Sequence, residues 1–166
     1  MNVDLKCLIS GIIAIIDASI QLYEAVDDVS GLPRSFRDVA DRLPAILHTL
    51  EAALYWLAEE EEDACMLSTD QYIALSTMLK SCRNKAIAIQ KVLQSVIPDA
   101  NASLIMRCAK AIKAISSTNT VDSLMQGILH DLQVLTANRA VNTASRSQIK
   151  RYIKGRFEEE ARDVCL

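Results

Sequence analysis

Residues 5–29, LKCLISGIIAIIDASIQLYEAVDDV, constrain this chain more than any other stretch, because they read as one long helix with almost no side left for water. Leu8, Ile9, Gly11, Ile12, Ile13, Ile15 and Ile16 leave few polar positions in its first turns. A helix that is apolar all round belongs in a protein core or in a bilayer. A second line, Cys7, Gly11, Ala14, Ala18, Leu22 and Ala25, recurs at three- and four-residue spacing. Its mostly small side chains predict a seam where a neighbouring helix backbone comes close. The unbroken apolar run falls short of the ~20 residues a membrane span needs, and Lys6 and Asp17 bracket it. A carboxylate near mid-bilayer costs about 3 kcal/mol on insertion scales. The expected resting place is therefore a core, and a triggered membrane state stays open.

A chain of 166 residues, 51% of them hydrophobic, can bury one sizeable core without metals or disulfides. Four glycines, three prolines and 4% aromatics, with β-branched residues at helical rather than alternating spacing, predict an all-α fold. A net charge of −3 predicts no global attraction to nucleic acid or to an anionic membrane. Any such attraction has to be local. Five cysteines, Cys7, Cys65, Cys82, Cys108 and Cys165, are odd in number and scattered, with no CxxC pair, which predicts reduced thiols in an intracellular protein and no metal site. Asp4 ahead of the single Lys6 and the lack of a small-residue cleavage site argue against a secretory signal. Cys165, second from the end, misses the prenylation pattern.

Taken in order, the first helix is expected to stop at Ser30 and Gly31, since glycine commonly follows a helix end. Pro33 suits the first turn of a second helix, and Phe36, Val39, Leu43, Leu47, Leu50, Leu54 and Leu57 continue at helical spacing. Pro44 lies inside that pattern and predicts a kink or break between Asp41 and Leu43. Residues 59–63 are five consecutive acids, read as a solvated helix end or as a site for a basic partner. Ser68 or Thr69 caps a third helix with the stripe Tyr72, Leu75, Leu79, Cys82, Ala86, Ile89, Leu93 and Val96, and Pro98 ends it. Asp99 or Asn101 is the expected cap of a short fourth helix. Its apolar side carries Leu104, Ile105, Cys108, Ile112 and Ile115, and Arg107, Lys110 and Lys113 form a basic row on the other side. That row is either a solvated face or a holder of phosphate and anionic headgroups. Ser116 to Thr120 forms a polar turn before a fifth helix on Val121, Leu124, Met125, Ile128, Leu132 and Leu135. Finally, Ile149, Tyr152, Ile153 and Phe157 make an apolar strip flanked by Arg146, Lys150, Arg151, Lys154 and Arg156. As a basic amphipathic helix it reads as a stalk or as a contact with a membrane surface or a partner helix.

No catalytic constellation emerges. His48 and His130 lack a nucleophile arrangement, and Asp131 beside His130 points elsewhere on a helix. There is no GxxxxGK[ST] or GxGxxG loop to cradle phosphate, and paired ExxH motifs for a di-metal bundle are missing. The expectation is a non-enzyme with no cofactor and no metal.

The segment SGIIAIIDASIQLYEAVDDVSGLPRSFRDVADRLPAILHTLEAA, followed by LMQGILHDLQVLTANRAV, resembles the SesA-type N-terminal domain of fungal NACHT and other STAND NTPases. The pattern G-L-P-x-x-F-R-x-V-A-x-R-L-P over residues 31–44 is its most specific part, and the resemblance covers roughly residues 5–141. Its landmarks are Gly31, Pro33, Phe36, Arg37, Arg42 and Pro44. The resemblance implies a signalling role related to HeLo and HeLo-like cell-death bundles, in which an NTPase module oligomerises and the N-terminal bundle executes or relays the signal. The sequence ends before any nucleotide-binding module, so it reads as either an excised domain or a stand-alone partner of a receptor.

The expected architecture is an all-α bundle of about five helices around the hydrophobic N-terminal helix, spanning residues 1–140, with a C-terminal amphipathic helical extension or stalk over 141–166. The expected function is that of an N-terminal signalling or effector domain of a fungal NLR-like receptor in regulated cell death or incompatibility, acting by triggered membrane engagement of the first helix. The alternative is a homotypic helical adaptor that signals through protein contacts alone. The implied partners are a second copy or a homologous bundle, a NACHT/NTPase module in cis or in trans, and a membrane on activation, with no nucleic acid. The expected localisation is cytoplasmic, membrane-associated on activation.

Overall fold

In the computed structural model, which describes residues 4–26, 31–60, 69–99 and 101–137 and the side chains of all of these but 56 and 58–60, the apolar stripes become five helices. They are α1 (Leu5–Glu24), α2 (Arg34–Glu60), α3 (Thr69–Val96), α4 (Leu104–Ser116) and α5 (Thr118–Ala137). The all-α class, the helix count and the hydrophobic first helix are as the sequence predicts.

The helix ends differ from those expected, for local reasons. Asp4 opens α1 by accepting a hydrogen bond from the Lys6 N–H at 2.9 Å, an N-cap that satisfies one donor the helix cannot. The helix closes on Ala25, not at Ser30 and Gly31, with the Ala25 N–H donating to the Gln21 carbonyl at 3.1 Å. Glu24 stands in this last turn, where the helix dipole is negative and disfavours carboxylates. Helix α2 runs unbroken through Pro44, and the ring lies on its exposed side. Ser103, not Asp99 or Asn101, caps α4 by accepting from the Met106 N–H at 3.3 Å. The expected polar turn shrinks to Ser117, whose N–H donates to the Lys113 carbonyl at 3.1 Å while its own carbonyl accepts from Val121 at 3.0 Å.

Helices α1, α2, α5 and α3 pack in a closed ring, each touching the next, and α4 sits outside against α3 and α5. Ile9, Ile12 and Ile16 of α1 meet Phe36, Leu43, Ile46 and Leu50 of α2, Leu75, Leu79, Ile89 and Leu93 of α3, and Met125 of α5 in one core. Burying each such side chain stabilises the fold by about 1.5–3 kcal/mol. The α3 stripe is buried from Leu75 through Val96, with Tyr72 half-buried at its start. Three buried hydroxyls bond back along their own helices, Ser19 to the Ile15 carbonyl at 2.9 Å, Thr49 to the Ala45 carbonyl at 2.8 Å and Thr136 to the Gln133 carbonyl at 3.0 Å, so none of the three enters the core without a partner.

Helix α1 does have a solvent side. Cys7, Ser10, Ala14, Asp17 and Gln21 are exposed along it. The small-residue seam therefore does not receive a helix backbone: Cys7, Ala14 and Ala25 face water, and a Cβ added at Gly11 would meet nothing within 4 Å. The larger isoleucines bury more apolar area, so they take the inward position and turn the small side chains out.

Candidate functional site

Helix α4 is rotated so that its apolar side faces solvent. Leu104, Ile105, Ile112 and Ile115 are 77%, 82%, 69% and 68% exposed, Cys108 is exposed beside them, and Ala114 is the one buried residue of the helix. The inward side of α4 meets the end of α3, whose last carbonyls have no intrahelical donor. Lys110 supplies one, its Nζ donating to the Ile97 carbonyl at 2.7 Å and reaching the Gln94 carbonyl at 3.5 Å. A cation is favoured at that negative helix end. With Lys110 turned inward, side chains about 120–160° further round, at ~100° per residue, turn outward. Leu104, Ile105, Ile112 and Ile115 are those side chains.

The basic row is thereby divided. Lys110 is engaged with α3, and Arg107 and Lys113 are exposed about 60° to either side of it. Arg107 Nε also donates to the Ala102 carbonyl at 3.2 Å. Each cation stands at one border of the outward apolar arc. Lys150, Arg151 and Lys154 lie outside the described residues, as do residues 61–68 with most of the acidic run and residues 138–166 with the expected extension.

The band on α1 is split between core and edge. Ile9, Ile12 and Ile16 are fully buried, and Leu8, Gly11, Ile13 and Ile15 are half-buried. By length and composition α1 is apolar enough to cross a membrane.

The landmarks of residues 31–44 serve the α1/α2 corner. Phe36 is fully buried, and the Pro33 carbonyl accepts from the N–H groups of Phe36 at 3.0 Å and Arg37 at 3.4 Å. Gly31 is exposed, Arg42 is half-buried and Pro44 is exposed. Arg37 lines an open cleft of about 470 Å³ with Tyr23, Arg34, Asp38 and Asp41. Arg34 pairs with Asp38 at 3.7 Å on the surface. Burial and the Asp41 carboxylate push the Tyr23 hydroxyl up from its ordinary value, and Arg37 opposes them. Two arginines against two aspartates make a balanced polar surface with no activated nucleophile.

One polar pair is missing from the sequence reading. Lys85 Nζ lies 2.6 Å from Asp131 Oδ2 between α3 and α5, and Gly127 makes the room: a Cβ there would come within 2.9 Å of the Lys85 Cε. The signal was present in Asp131, three residues after Ile128 and four before Leu135 on the apolar stripe of α5. His130, its chain neighbour, is exposed and points away from it. Cys82 is buried nearby, and its thiol is pushed up to about 12 by burial first and by Asp131 second, with Lys85 opposing. A thiol so placed is inert at neutral pH. Among the described residues no group of three or more His, Cys, Asp or Glu is arranged to hold a metal ion.

No curated protein and no solved structure matches the chain. A family model matches residues 9–135, from the core face of α1 to the buried end of α5, and its description is SesA, N-terminal domain on NACHT_NTPase and P-loop NTPases. The match spans all five helices of the described bundle, including the Phe36 corner and the Lys85–Asp131 pair. The chain belongs to the SesA family.

Proposed function

We propose that this bundle is the N-terminal signalling domain of an NLR-like receptor and that it acts at membranes in regulated cell death. The NTPase module, in cis or in trans, gathers copies of the bundle, and the bundle performs no catalysis of its own. Residues 141–166 act as the stalk between bundle and module, and the protein resides in the cytoplasm, with α1 entering the membrane only on activation. One observation carries the membrane part. Helix α1, at 20 residues, is about 30 Å long at ~1.5 Å per residue, the thickness of a hydrocarbon core, and only one face of it is fully buried. Releasing α1 from α2 and α3 exposes Ile9, Ile12 and Ile16 to whatever is nearby, and lipid accepts them as readily as the core does.

Flotation with phosphatidylcholine vesicles, with and without phosphatidylserine, tests this reading on the monomer and on the chain clustered through a fused multimerising tag. Clustered chain is expected to float and to release trapped dye, and Ile13→Glu to abolish release with its thermal melt checked alongside. A folded chain that neither floats nor leaks dye in either state overturns the membrane part and leaves a homotypic adaptor.

A further inference from the structure

We propose that the outward face of α4 is a docking surface for an anionic lipid membrane, used by the folded bundle before α1 moves; this rests on the membrane reading above. The face is built in the manner of an interfacial helix. Leu104, Ile105, Cys108, Ile112 and Ile115 point away from the bundle, and Arg107 and Lys113 border them on either side. A helix lying in the headgroup region needs this order, apolar side chains deepest and cations level with the phosphates. Helix α4 contains three cations and no acid, so it is locally basic in a chain whose net charge is −3.

Charge also separates lipid from the other occupants. A second copy seated α4 against α4 would bring Arg107 and Lys113 of both molecules together with no carboxylate on either helix. The chain's own strip Ile149, Tyr152, Ile153 and Phe157 is flanked along its length by Arg146, Lys150, Arg151, Lys154 and Arg156, with Glu158, Glu159 and Glu160 only beyond its end, so over most of that strip like would face like. An anionic lipid surface is attractive to every cation on this helix. Lys110 lies on the opposite side of the helix, engaged with the Ile97 carbonyl, so Arg107 and Lys113 are the cations beside the apolar arc. In the resting bundle α1 keeps its buried isoleucines, so the two helices act in sequence: α4 docks, and clustering then releases α1.

The test is flotation of the full chain as a monomer with phosphatidylserine-containing vesicles, comparing wild type with Ile105→Gln/Ile112→Gln, with Lys113→Glu, and with Ala14→Glu on the exposed side of α1. Glutamine and glutamate are good helix formers at exposed positions, so the double glutamine variant and Ala14→Glu are expected to keep the wild-type melt and helicity. Lys113→Glu, which places a carboxylate in the last turn of α4, is expected to stay folded with a slightly lower melt. Wild type is expected to float without releasing dye, and to float less at high salt. The double glutamine variant should lower partitioning at least tenfold, Lys113→Glu about tenfold, and Ala14→Glu not at all. Undiminished flotation of both α4 variants overturns the proposal and leaves the membrane reading intact. So does flotation that needs clustering. If neither monomer nor cluster floats, the membrane reading itself fails. If the double glutamine variant instead converts a dimer to a monomer in sedimentation with lipid binding unchanged, a second copy is the occupant and the lipid assignment is wrong.

Discussion

Lys85 and Asp131 meet at 2.6 Å across the α3/α5 contact, the carboxylate nearly enclosed with 9% of its side chain exposed and the lysine keeping 28%. The asymmetry decides which partner is harder to lose. Lys85→Ala strands a buried carboxylate and is expected to cost about 2–4 kcal/mol. Asp131→Ala leaves an ammonium that can turn to water, and about 1 kcal/mol is expected. Urea denaturation of both single variants and the double variant measures the coupling. Equal costs for the two singles would contradict the burial argument.

Gly127 belongs to the same contact. Gly127→Ala adds a methyl group against the Lys85 methylenes, so in the wild-type background the helix-propensity gain of about 1 kcal/mol is offset by displacement of the ion pair. In the Lys85→Ala background the full gain should return. Thermal melts of the four proteins read this directly.

The Cys82 thiol gives the fold an alkaline limit. Its folded value, about 12, stands above the ordinary 9.0. The unfolded chain therefore loses the proton first, and stability that is complete below pH 9 is lost as the pH rises toward 12. By pH 11 this removes about 2–3 kcal/mol. The decline in melting temperature between pH 9 and 11 should be shallower for Cys82→Ala, although that variant starts lower. Thiol reagents at neutral pH should modify Cys7 and Cys108, which are exposed, and spare Cys82.

Lys110→Ala removes a donor from the Ile97 carbonyl and is expected to cost about 1–1.5 kcal/mol. Amide exchange should accelerate in α4 more than in α1 or α2, because Ala114 is then the main anchor of α4 on the bundle. Uniform acceleration would mean that the lysine holds the whole bundle.

Pro44→Ala should stabilise the chain. Proline in a helix interior costs about 3 kcal/mol relative to alanine, and an alanine N–H restores the bond to the Ala40 carbonyl. A gain of about 1–3 kcal/mol in chemical denaturation is expected. A loss would mean that restraint of the unfolded chain by proline outweighs its cost in the helix.

Periodicity made the core helices legible. In α3 the run Leu75, Leu79, Cys82, Ala86, Ile89, Leu93 and Val96 is buried as its spacing predicts, and in α5 Val121, Met125, Ile128, Leu132 and Leu135 are too. Burial of one stripe is a local demand that three- and four-residue spacing records in the chain itself. Helix ends were less legible. Ala25 and Ser103 close and open helices where Gly31 and Asp99 carried the stronger single-residue signals, because caps compete with one another and with packing.

Which stripe faces inward was harder still to read. On α1 the isoleucine line and the small-residue line both had helical spacing, and only packing against α2 and α3 sent the first inward and the second to solvent. On α4 an apolar side looked like any core-facing side, and only the packing shows Lys110 against the α3 end and that side toward water. The pattern of the chain alone determined the five helices of the described residues, their class and most of the apolar stripes that the core uses. The tertiary structure decided how each helix is rotated about its axis and which charges meet, as Lys85 meets Asp131, because those depend on groups that helices far apart in sequence bring within a few ångströms of one another.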